Sequence, residues 1–409
     1  MHTPPKNLRL PWILFLTSGC FTLLCLINLF SFHEHRATFL EKYAFYSSQK
    51  CLIQTRNLFN NVSQVQNQLT DISATLGLDN LDQGFDRARE ETDAFHAGLI
   101  NLRQLLEKHP TKENPVPDLS ALEARFDLFH SLGIEMAHAY IQNGTFRGNQ
   151  KMKLFDAEAD QLRDTLNEMS TFHKEHAEFW RKKITRHAHA FSAPGGVGNL
   201  LWFHLMGDQT RTHYVQFMTL LVQTAPHQDN RMRLSIAAGE LQGQVIQVQQ
   251  WLTDLAATRG QDGLDEGNTK ARLAAENFLA ALPAFLELIR EHDNETALGK
   301  TADLERQFKT FYRTGQELAK AYILGGAKRG NPFMRAFDKQ AEELNTELKS
   351  YIDPTLDDAN TESFQMDLVH DSLQEIRKIL FFLSFLSLIV TIAASAWLAS
   401  CRRLHSAPE

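Results

Sequence analysis

The sequence predicts an all-α protein: two tandem up-down four-helix modules sharing a membrane-proximal bundle of four long helices, flanked by two transmembrane helices. Three observations carry this. A 20-residue phrase occurs twice, as VQNQLTDISATLGLDNLDQG at residues 65–84 and as VQQWLTDLAATRGQDGLDEG at 248–267. Apolar residues recur at spacings of three and four. Both ends of the chain carry long runs without a charge.

The first run is Leu10 to Phe32, 23 uncharged residues, which suffices for a hydrocarbon core of ~30 Å. It is longer than the core of a cleaved signal peptide and no small-residue cleavage site follows, so an uncleaved anchor is expected. The second run, Ile379 to Ser400, has 22 uncharged residues. Lys6 and Arg9 precede the first span, and Arg402 and Arg403 follow the second, which predicts that both termini are cytoplasmic. Arg377 and Lys378 lie on the outer side of the second span and oppose that assignment. The expected order is a cytoplasmic N-terminus (1–9), a span (10–32), module 1 (33–190), a membrane-proximal turn (191–208), module 2 (209–378), a span (379–400) and a cytoplasmic tail (401–409). The main domain is then periplasmic or extracellular. Of four cysteines only Cys51 falls within it, so no disulfide can form there and packing must hold it together.

Within module 1, Val62, Val65, Leu69, Ile72 and Leu76 form one helical seam, repeated in module 2 as Val245, Val248, Leu252 and Leu255. Breaks at GLDNLDQG, HPTKENPVPD and NGTFRGN predict helices over 34–76, 82–108, 118–143 and 149–190. The second copy predicts 207–258, 265–292, 301–324 and 331–378, the last capped by Asn331 with Pro332 in its first turn. The outer helices of each copy would be about 60–80 Å long and the inner ones about 35–40 Å. The short pair can cover only part of the long pair, so the two copies must complete each other near the membrane. Between them, 191–208 holds Pro194, Gly195, Gly196 and Gly198 for a turn. It also holds Leu200, Leu201, Trp202, Phe203, Leu205 and Met206, which suit either the lipid interface or an apolar plug under the bundle.

The duplication extends beyond that phrase. Residues 62–84 match 245–267 at 14 of 23 positions, an offset of 183. Residues 133–166 match 315–348 at 16 of 34, an offset of 182. The phrase QVQQWLTDLAATRGQDGLDEG followed by ELAKAYILGGAKRGNPFMRAFDKQAEEL resembles the helical periplasmic sensor domain of bacterial methyl-accepting chemotaxis proteins. The resemblance implies a ligand-sensing, chemoreceptor-like module in the bacterial cytoplasmic (inner) membrane, normally one module between two spans, dimerised through long helices and continued into cytoplasmic HAMP and signalling regions. Two modules share this chain, and nine residues follow Ser400. The expectation is therefore a sensor without its own output domain, coupled to a separate membrane partner. The alternative is an architectural or accessory helical-bundle membrane protein that has lost ligand binding.

Polar residues that recur ask for explanation. Gln64, Gln66, Thr70, Asp71 and Thr75 return as Gln247, Gln249, Thr253, Asp254 and Thr258, and Asp79 and Asp82 as Asp262 and Asp265. Tyr140, Arg147, Asn149 and Asp156 return as Tyr322, Arg329, Asn331 and Asp338. They suit a small-molecule pocket at the distal turns, and they equally suit caps and turns shared through common architecture. Arg259 stands where the first copy has Leu76. A buried arginine there would favour a small anionic ligand in the second copy.

Other classes are disfavoured. A net charge of −7 argues against nucleic acid as a partner. No C-x-x-C-H, H-E-x-x-H, nucleotide loop or nucleophile–base arrangement stands out, so neither an enzyme nor a cofactor or metal is expected. GGVGN lacks the preceding strand that a phosphate loop needs. The pairs His173/His176 and His130/His138 do not recur in the second copy, and exposed helical faces are the expected place for the histidines.

Overall fold

The protein is described from a computed structural model, which covers residues 6–77, 82–108, 118–188, 226–260, 266–292 and 303–405. All regular structure among them is helical: α1 (Lys6–Thr75), α2 (Asp82–Lys108), α3 (Leu119–Ala188), α4 (Pro226–Thr258), α5 (Glu266–His292) and α6 (Leu304–His405). The turn expected over 191–208 and the start of the helix expected from 207 lie outside the described residues, as do Asp79, Asp262 and Asp265.

Each copy forms a helical hairpin whose corner is a single glycine. α3 is helical on both sides of Gly144, which sits at φ 73° and ψ −175°. The chain reverses there, because Phe129 and Phe155, 26 positions apart, stack with ring centroids 4.7 Å apart. Lys151 Nζ likewise reaches Glu135 at 2.6 Å. α6 repeats the corner at Gly326, with φ 60°, and its Phe311 and Phe337 stack at 4.7 Å. Only glycine tolerates this left-handed backbone cheaply. The break read in NGTFRGN is thus one residue wide. The expected cap at Asn331 is not formed: the returning arm starts right after Gly326, and Asn331 Oδ1 instead accepts a hydrogen bond from Tyr322 Oη at 2.6 Å.

Local signals account for the other ends. α1 stops where Leu76 and Gly77 take φ of 57° and 68°, and the Gly77 amide donates to the Ile72 carbonyl. α4 stops the same way at Arg259 and Gly260, so both long helices end in left-handed C-terminal caps. Asp118 caps α3 by accepting from the amides of Ser120 and Ala121 at 3.0 and 3.2 Å.

The described residues divide into two compact units. One comprises described residues of 45–178 and 225–360, and both copies contribute to it. Its core contains the seam residues Val62, Val65, Leu69 and Ile72, with Val245, Val248 and Leu252. Two phenylalanine ladders run through it. Phe95 stacks on Phe126 at 3.7 Å, Phe126 meets Phe129 at 5.8 Å, and Phe129 stacks on Phe155. Phe278, Phe308, Phe311 and Phe337 repeat the sequence of contacts at 3.7, 6.0 and 4.7 Å. Between copies, Arg56 pairs with Glu240 at 2.5 Å and Asn60 bonds Gln242, so α1 and α4 run parallel and side by side.

The other unit comprises described residues of 1–44, 179–224 and 361–409. There Lys183 pairs with Glu41 at 3.1 Å and covers the ring of Trp180 at 4.8 Å. Phe381, Phe382, Phe385, Leu386, Leu388, Ile389, Val390, Ile392 and Trp397 of α6 are all at least 45% exposed. At 100° per residue they spread over about 200° of the helix circumference. Among the described residues no helix meets the length and hydropathy of a membrane span. Most side chains of 10–32, and several of 379–400, lie outside that description.

Candidate functional site

Most of the repeated polar residues are consumed by the fold. Thr75 and Thr258 donate to the carbonyls of Asp71 and Asp254, one turn back, at 2.9 and 3.0 Å. Tyr140 Oη donates to Asn149 Oδ1 at 2.6 Å, matching the Tyr322–Asn331 pair across the other corner. These buried bonds tie each hairpin shut, and burial raises the Tyr140 hydroxyl pKa above its ordinary range. Gln66 and Gln249 donate to Asp156 and Asp338 at 2.8 and 3.0 Å. Arg147 and Arg329 are exposed. Arg259 takes the left-handed turn position, φ 54°, which directs its guanidinium over Gly326. That is a corner contact, away from the cavity described below.

What the structure does bring together is Asp71 with Asp338, and Asp254 with Asp156, each pair spanning the two copies. Burial drives the Asp71 carboxyl well above its usual range, Asp338 adds to this, and Arg87 opposes it. Burial, then Asp156, does the same to Asp254, opposed by Lys270 and Arg163. Asp156 and Asp338 are each pushed up to about 6, again mainly by burial.

The two sites are equivalent in the duplication but differ in what fills them. Beside Asp254, Arg163 donates to Gln66 at 2.5 Å and to Gln250 at 2.9 Å and pairs with Asp160. Its guanidinium carbon lies 5.3 Å from the Trp251 ring centroid, and Lys270 Nζ lies 4.1 Å from it. Two cations on one indole close this site. Beside Asp71 there is instead an open cavity of about 600 Å³, lined from one copy by Asn67, Gln68, Asp71 and Arg87 and from the other by Gln249, Asp338, Glu342 and Asn345. Such a volume suits a small molecule. Of the repeated polar residues singled out in the sequence, Gln64, Asp71, Gln249 and Asp338 line it, whereas Thr75, Tyr140, Arg147, Asn149, Asp254, Thr258, Arg259, Tyr322, Arg329 and Asn331 do not. Comparison with family models, curated proteins and solved structures returned no match.

The histidines do not form a metal centre among the described residues. His173, expected on an exposed face, is 4% exposed, and burial lowers its pKa to about 4. His176 Nδ1 and Ser48 Oγ share a hydrogen bond of 2.8 Å, and the exposed His138 stacks on Phe85. Cys51 is a buried free thiol whose pKa burial pushes up to about 12, which makes it inert.

The raised carboxyls set a pH dependence. A carboxyl whose folded pKa lies above its unfolded value stabilises the fold when protonated and loses that contribution as pH rises through the folded value. For Asp338 the window runs from the unfolded value near 3.8 to about 6. Asp338→Asn keeps an acceptor for Gln249 and removes the charge. It is expected to raise stability by about 1 kcal/mol at pH 7.5, allowing for the partly solvated edge of the side chain, and by almost nothing at pH 4. Thermal melts of both proteins at the two pH values check this. An equal gain at both would mean that Asp338 is not protonated in the fold.

Proposed function

We propose that the chain is a membrane-anchored, extracytoplasmic ligand-sensing protein of chemoreceptor-like design, passing its signal through two spans to a separate membrane partner in the bacterial inner membrane. One observation supports it above others. A single stretch of chain, Leu304–His405, carries one wall of the open cavity at Asp338, Glu342 and Asn345 and, further on, the exposed apolar arc from Phe381 to Trp397. Contiguous apolar surface of that extent needs a nonaqueous cover, and over a 22-residue uncharged run lipid is the natural one. The resemblance of the repeats to chemotaxis sensor modules supports the same reading. In it, two four-helix modules sit above a shared bundle of four long helices, with 191–208 at the membrane surface.

A second reading, an architectural spacer, is favoured by a different observation. The Tyr–Asn and Thr–backbone bonds account for repeated polar residues without any ligand, and one of the two equivalent sites is filled by the chain's own side chains. Topology tests the two-span arrangement that both readings share: reporter fusions at either terminus should read as cytoplasmic and a fusion at Gly196 as extracytoplasmic. A cytoplasmic signal from Gly196 would remove the two-span arrangement.

A further inference from the structure

We propose that the open cavity beside Asp71 binds a small organic cation through a guanidinium group. The proposal rests on the ligand-sensing reading and supplies its ligand class. The closed site shows the chemistry. There an arginine of the chain's own, Arg163, is buried with only 6% of its surface exposed and lies among Gln66, Gln250 and Asp160. By the repeat offsets, the same three positions at the open site are Gln249, Asn67 and Glu342. All three keep an acceptor. The guanidinium itself is missing, because position 345 holds Asn where the first copy has Arg163. The aromatic cover is missing too, because Gln68 stands where the second copy has Trp251. The substitutions that open the cavity therefore remove a guanidinium and its lid and leave acceptors in place.

The open site holds acceptors with nothing to accept. Asp71 Oδ1, Asn67 Oδ1 and Asn345 Oδ1 are buried and have no hydrogen-bond partner; in the closed site Asp254 Oδ1 is unpartnered as well, since Arg163 donates to Gln66, Gln250 and Asp160. Asp71 and Asn67 are 7% and 2% exposed. A buried acceptor left unpaired is costly, so a donor-rich guest gains by supplying them. Turning an asparagine amide end for end would offer a donor; Asp71 is held toward its neutral form by burial and by Asp338, and a cation beside it would favour the carboxylate, which only accepts. Guanidinium meets the need in one plane, with five N–H donors.

The bases around the cavity do not reverse this. Arg87, Arg335, Lys339 and Lys349 are all exposed and form its rim, whereas Asp71 and Asn67 are buried. An anion on the floor would face Asp71 and Asp338 and leave the three acceptors unpaired. A carboxylate on the outer end of a longer ligand could meet the rim.

The test uses the full chain in lipid nanodiscs, with agmatine and methylguanidine as probes and malate as the anionic control, read by calorimetric titration and thermal shift. Saturable binding of both guanidinium probes is expected. Asp71→Asn should weaken agmatine about tenfold or more, the loss of one charge-assisted contact. Asn345→Arg, which puts the chain's own guanidinium where the closed site has one, should abolish binding and raise the melting temperature. Arg163→Asn should open a second guanidinium site and double the stoichiometry. Absence of guanidinium binding to the folded wild-type protein would overturn the proposal, as would binding unchanged by both Asp71→Asn and Asn345→Arg. Malate binding without guanidinium binding would leave the sensor reading standing and remove this ligand class. Failure of the topology test would remove the membrane sensor and leave the cavity chemistry intact.

Discussion

Gly330→Ala is expected to destabilise the protein by about 3 kcal/mol, the upper part of the range for overpacking a core. A Cβ on Gly330 would lie 2.1–2.5 Å from three atoms of the Tyr322 ring, well inside van der Waals contact. The ring cannot move aside cheaply. Tyr322 is fully buried and its hydroxyl is held by Asn331, the residue next to the glycine. The hairpin corner at Gly326 presses the returning arm onto the outgoing one, so the extra methyl would wedge the corner open. Thermal unfolding of the full chain should fall by about 6–12 °C for a domain of this size. Gly148→Ala should behave alike, since its Cβ would meet Tyr140 at 2.4–2.5 Å. A variant melting within a degree or two of the wild type would mean that the tyrosine swings out and does not clamp the corner.

Phe308→Ala should cost about 3–5 kcal/mol, the range for truncating a buried phenylalanine. Phe308 is 0% exposed and stands between Phe278, 3.7 Å away, and Phe311, 6.0 Å away, so its loss leaves a cavity bordered by rings held from two helical segments. Phe126→Ala should cost a similar amount, because Phe126 occupies the same place between Phe95 and Phe129. Denaturant unfolding measures both. A loss below about 1 kcal/mol at either position would show that the ladder relaxes to fill the void and is not a principal support of the copy.

The duplication made much of the helical framework legible. The seam Val62, Val65, Leu69, Ile72 is buried as its spacing requires, and the corners fall within the glycine-bearing stretches that recur. The candidate site was far less legible. Identity between copies marks what both need in order to fold, and Tyr140, Asn149, Thr75 and their counterparts turn out to hold corners and helix ends. The cavity arises where the copies differ: Arg163 against Asn345, Trp251 against Gln68. Such departures stand out only once the partners of Arg163 are known, and two of its three hydrogen-bond partners, Gln66 and Gln250, lie about 90 positions away in sequence.

By itself the sequence determined the all-helical class, the tandem copies, most described helix boundaries within a few residues and the buried seams. These follow from local periodicity, turn residues and repetition, which act over a few helical turns. Only the tertiary structure decided which polar residues are spent on the fold and which face a cavity. That depends on burial and on contacts between copies: a carboxyl such as Asp71 becomes an unpaired acceptor because helices from the other copy exclude water from it. Asp254, its counterpart in the second copy, also has an unpartnered Oδ1 but lies beside Arg163 and Lys270, where Asp71 faces the cavity.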